Sequence, residues 1–154
     1  MKNAEKTKRR KADETMLLDH VRWQLAKLWF GLGTPILLIL IGQSMFGKYA
    51  GKAQAVWSWA LPTLMPTLAL IITVLGANAL VDVNDQKRKV KRSFYLLALT
   101  LSSLYLVLIL ATLLIEPFTP SEPLELLNLS SLWLGPLQGL VASALAILFF
   151  TKQS

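Results

Sequence analysis

Apolar residues in this chain arrive in four long blocks, with the polar residues gathered in the gaps between them. The blocks cover about residues 28–46, 57–81, 94–115 and 127–150. Each is long enough to cross the roughly 30 Å hydrocarbon core of a bilayer as a helix, and each is apolar around its whole circumference. Ahead of the first block, Leu17, Val21, Leu25 and Leu28 recur at helical spacing, with His20, Arg22 and Gln24 off that face. This pattern predicts a short amphipathic helix lying at the headgroups and running into the first span. The expected fold class is all-α: a polytopic integral membrane protein, a four-transmembrane-helix bundle with a short N-terminal interfacial amphipathic helix. Residues 1–15 are read as a basic tail and 16–154 as the membrane domain.

Each span carries local signals. Trp23 and Trp29 mark the inner interface of the first and Phe46 and Tyr49 its outer one, as in an aromatic belt, and Gly31, Gly33 and Pro35 loosen its early turns. Trp57 and Trp59 anchor the outer end of the second span, where Pro62 and Pro66 fall one turn apart. Each proline removes a backbone donor and crowds the preceding turn, so a bend is expected there, with Thr63 and Thr67 returning hydroxyl hydrogen bonds to the freed carbonyls. The third span has neither proline nor glycine, and Ala98, Ser102, Tyr105, Ile109 and Thr112 share one of its faces. In the fourth, Gly135, Gly139 and Ser143, with Ala142 and Ala146 beside them, form a small-residue stripe. Such a stripe lets helices pack closely where lipid supplies no hydrophobic drive, and packing inside the bundle is expected ahead of packing on a second copy. Trp59-Ala60-Leu61-Pro62 and Trp133-Leu134-Gly135-Pro136 echo one another, but four positions do not establish a repeat.

Charge decides the orientation. The chain is 54% apolar with mean hydropathy +0.50, yet its formal net charge is +7. Of its 16 Lys and Arg residues, only Lys48 and Lys52 fall in the segments between the first and second or the third and fourth spans. The others concentrate in the tail, with Lys8, Arg9, Arg10 and Lys11, and in the central loop, with Lys87, Arg88, Lys89, Lys91 and Arg92. By the positive-inside rule both termini are expected in the cytoplasm, in a membrane that is taken to be a bacterial plasma membrane. The partners expected are the bilayer itself, its anionic headgroups at about 1 kcal/mol per basic residue near the surface, and a protein partner or a second copy. Nucleic acid is not expected, because the cations follow topology rather than forming a separate basic domain. Ala53-Gln54-Ala55 has the form of a signal-peptide cleavage site, but the long n-region and the polar gap at 47–52 favour a retained span.

Candidate chemistry is sparse. No span holds an ionisable residue near its middle, which is the usual mark of an ion or proton path. There is no cysteine and one histidine, His20, so thiol redox chemistry and paired haem ligands are disfavoured. Asp82 and Asp85 flank Asn84 in the central loop, where neighbouring cations favour a solvated or ion-paired state over a metal site. Gln43, Asn78 and Gln138 read as interhelical hydrogen-bonding residues rather than a pore lining. No catalytic, metal or cofactor residue is assigned, and no cofactor is expected. The expected function is a small non-enzymatic anchor, accessory or assembly subunit with a basic cytoplasmic face. The alternative is an oligomeric channel or a membrane-perturbing effector of the defence type.

Overall fold

A computed structural model describes residues 15–80, 89–118 and 123–150. Four helices dominate it: α1 (Leu18–Met45), α2 (Ala53–Leu80), α3 (Arg92–Ile115) and α4 (Pro123–Phe150). All four are long and apolar enough to cross a membrane. Around the bundle, α1 packs beside α3, α3 beside α4, and α4 beside α2, leaving α2 and α3 diagonally opposed.

Two short strands precede the first and third helices. β1 (Thr15–Leu17) pairs antiparallel with β2 (Lys89–Lys91), with Thr15 opposite Lys91 and Leu17 opposite Lys89. Neither helix start has a side-chain cap; Leu17 and Lys91 are both extended residues of the ribbon. The register sets the starts of α1 and α3 at opposite ends of the ribbon. Three strand residues span about 10 Å, close to the separation of two packed helices. The ribbon therefore spaces the two helices it feeds.

The opposite end of the bundle is closed by tight turns. The Lys48 amide donates to the Gln43 carbonyl at 3.0 Å and the Gly47 amide to that of Ser44 at 3.2 Å, with Gly47 at φ +73°. This is a Schellman ending, in which glycine takes the left-handed position at no Cβ cost. Gly51, at φ +77°, turns the chain into α2, and the Lys52 amide donates to the Tyr49 carbonyl at 2.8 Å.

The start of α1 departs from the sequence reading. No separate interfacial helix exists among the described residues, because α1 runs unbroken from Leu18. Its apolar face, Leu18, Val21 and Leu25, continues through Trp29, Ile36 and Leu40 as one buried stripe. The partner of that face is the bundle rather than the headgroups; amphipathic spacing looks the same in either setting. Trp29 is fully buried, not a belt residue, while Trp23 is exposed as a belt requires. Tyr49 is also buried, and Phe46 beside it is exposed. The shared face of the third span, Ala98, Ser102, Tyr105, Ile109 and Thr112, is buried throughout.

Candidate functional site

Cations gather at the ribbon end. Lys89, Lys91 and Arg92 are exposed on β2 and the first turn of α3, and Lys27 is exposed on α1. Pairing of β1 with β2 brings the segment that follows the basic tail against the segment that follows the rest of the basic loop. Lys8, Arg9, Arg10, Lys11, Lys87 and Arg88, with Asp82 and Asp85, lie outside the described residues.

Arg22, at the same end, is used differently. Its side chain is only 11% exposed. Its Nε donates to the Leu148 carbonyl at 3.2 Å and its Nη2 to that of Phe149 at 2.9 Å. The guanidinium also lies 5.8 Å from the Phe149 ring centroid. The last turn of α4 has no basic residue of its own, so Arg22 of α1 caps its unpaired carbonyls and meets its negative dipole end. Alongside, the Tyr95 hydroxyl donates to Gln24, whose amide nitrogen lies 2.7 Å from the His20 ring.

The bundle's middle holds a polar layer. Pro66 has no N–H to give the Pro62 carbonyl, and its ring crowds that carbonyl. Gln138 of α4 donates to the Pro62 carbonyl at 2.8 Å and to that of Thr63 at 3.3 Å, while Tyr105 of α3 donates to the Thr63 carbonyl at 2.8 Å. The carbonyl freed by Pro66, and the Thr63 carbonyl beside it, are thus met by neighbouring helices. Pro62 and Pro66 both sit inside a helix that continues to Leu80. The hydroxyls expected to repair the proline sites do so only in part. Thr63 donates to the Trp59 carbonyl at 2.6 Å, but the Thr67 hydroxyl has no partner among the described residues.

The small-residue stripe of α4 turns outward. Gly135, Gly139 and Ser143 are exposed, Ala142 and Ala146 are half-buried, and a Cβ on either glycine would meet nothing within 4 Å. Among the described residues no helix packs closely on Gly135 or Gly139, contrary to the expectation. Spacing defines a face, but it is the direction of that face that decides its neighbour.

Sequence reasoning missed the buried acid of the other end. Glu116 follows α3 directly, opens a 3-10 turn (Glu116–Phe118), and is 3% exposed. It pairs with Lys48 from the turn between α1 and α2. The Lys48 ammonium lies 5.2 Å from the centroid of the Tyr49 ring, and the Tyr49 hydroxyl donates to Gln43 at 2.5 Å. Burial pushes the Tyr49 phenol up to about 12, and the Glu116 carboxylate adds to the shift. The available signal was the opposite charge of two residues expected on one side. Nearby, a groove of about 620 Å³ between the first turns of α2 and α4 is lined by Lys52, Gln54, Ser58, Asn128 and Ser131.

Among the described residues, no three His, Asp or Glu side chains are placed to hold a metal ion. The fold and these sites define a class: an all-helical protein of four helices, each able by length and composition to cross a membrane. No protein family, curated protein or solved structure matches the chain.

Proposed function

We propose that the protein is a small non-enzymatic component of a bacterial plasma membrane, an anchor, accessory or assembly subunit. It spans four times with both termini in the cytoplasm and offers a basic face to a protein partner or to anionic headgroups. The pairing of β1 with β2 carries this reading. Residues joined by strand hydrogen bonds share one side of a membrane, so the helices between them cross it an even number of times. The same pairing joins the approaches to the two cation-rich segments, and the positive-inside rule assigns that side to the cytoplasm. Recovery of a stoichiometric partner by mild-detergent pull-down from the native host is the expected result. A protein that purifies alone under those conditions would remove the accessory role.

The oligomeric channel or membrane-perturbing effector is the second reading, and the outward Gly135, Gly139 and Ser143 stripe favours it. A second copy could pack closely there. Planar-bilayer recording separates the two: a pore gives discrete conductance steps, whereas an accessory subunit gives none at any voltage.

A further inference from the structure

Three polar atoms deep in the bundle have no hydrogen-bond partner among the described residues: the hydroxyls of Thr67 and Ser102 and the indole N–H of Trp29. Thr67 is 2% exposed, and Ser102 and Trp29 are 0% exposed. Helix hydroxyls usually escape this by donating to a carbonyl of the preceding turn. Thr63, Thr112 and Ser143 do so here, at 2.6, 2.8 and 2.8 Å. Thr67 and Ser102 are the buried hydroxyls that do not.

Their positions are linked. The Tyr105 hydroxyl meets the Thr63 carbonyl at 2.8 Å, which fixes α2 and α3 at one level. The two helices run in opposite directions, since α3 leaves the ribbon and α2 returns towards it. Thr67, one turn after Thr63, and Ser102, one turn before Tyr105, therefore each lie about one turn nearer the ribbon on their own helices. α2 and α3 are diagonal in the bundle, a gap that a tyrosine side chain spans at one level. Serine and threonine are too short to meet across it at the next. Trp29 reaches the same region from α1, its ring 5.9 Å from that of Tyr105.

We infer that Trp29, Thr67 and Ser102 form a hydration site on the bundle axis that holds one ordered water molecule. The water accepts from the Trp29 indole N–H and exchanges hydrogen bonds with the two hydroxyls. Three polar partners are the usual complement of a buried water. The site adjoins the Tyr105, Thr63 and Gln138 contacts, so hydrogen bonds over two successive turns tie all four helices together. In an apolar bundle, where any helix can slide against its neighbour without losing contact, such a layer fixes register. This inference is independent of the accessory role.

Water-edited solid-state NMR of the full chain in lipid bilayers, with uniform ¹⁵N labelling, tests it. The Trp29→Phe variant assigns the Trp29 indole signal. In the wild type, that indole is expected to receive magnetisation from water about as fast as the exposed Trp23 indole. A build-up as slow as the backbone amides of Leu40 and Ile71 would overturn the site. In the Thr67→Val, Ser102→Ala double variant, the Trp29 transfer is expected to be lost. If that variant keeps the wild-type spectrum elsewhere and the Trp29 transfer persists unchanged, the proposal fails. Should the variant not fold, the wild-type build-up decides alone.

Discussion

Lys48 and Lys91 carry the same side chain and are used in opposite ways. Lys48 bends inward to a carboxylate that is 3% exposed, against a buried phenol, in a turn fixed by two glycines of positive φ. Lys91 stands exposed on a two-stranded ribbon among other exposed cations. At the turn end, the charge of Lys48 is paired across two segments; at the ribbon end, Lys89, Lys91 and Arg92 stand exposed. Such buried pairs are strongly destabilising to break from one side, whereas exposed charges add little to stability. In the proposed function, those exposed ribbon-end cations serve placement and recognition.

The sharpest way to break that contrast is Lys48→Met, which takes the ammonium away from the buried Glu116 carboxylate. It is expected to cost about 3 kcal/mol, read as a fall in the thermal midpoint in detergent. The Lys48→Met, Glu116→Gln double variant should recover much of that loss; no recovery would mean that the two residues act separately. Arg22→Met probes a cation at the ribbon end that is buried rather than displayed. Losing its hydrogen bonds to two α4 carbonyls should cost about 2 kcal/mol in the same assay. Gly47→Ala forces a Cβ into the left-handed position that ends α1, and about 1 kcal/mol is expected.

The turn end should also respond to alkali. Tyr49 titrates near 12 when folded against 10 for the free side chain. Its contribution is fully present below pH 10 and is lost as the pH climbs towards 12, because only the unfolded chain gives up the proton readily. Tyr49→Phe should flatten that part of the stability profile. The smallest stability effect belongs to the exposed cations. In a variant with Lys87, Arg88, Lys89, Lys91 and Arg92 neutralised, the exposed Lys89, Lys91 and Arg92 should each change stability by no more than about 0.5 kcal/mol. The same variant should give mixed orientation in topology reporters. A large stability loss with uniform orientation would invert the contrast between the two ends.

The four helices were legible because each apolar block is long and ends in polar residues. The buried face of α3 was legible because small and weakly polar residues recur there at three- and four-residue steps. Other features hid behind patterns that fit two settings. The Leu18, Val21 and Leu25 stripe serves a packed helix as well as an interfacial one, and Trp29 looks like a belt residue until its neighbours are known. Glu116 stands next to Pro117 in an acidic stretch that reads as a solvated loop, and its burial depends on Lys48, far away in the chain. Thr15-Met16-Leu17 and Lys89-Val90-Lys91 are too short to announce strands. The outward direction of Gly135 and Gly139 is a matter of helix rotation, which periodicity leaves open.

The ribbon also sets a sequence of events. Thr15 cannot meet Lys91 until synthesis has passed the ninetieth residue, by which time α1 and α2 have both been made. Until then the amino-terminal arm hangs unclasped. Its closure marks the moment when the first hairpin is complete and the second begins, like a buckle fastened only after the strap has gone through.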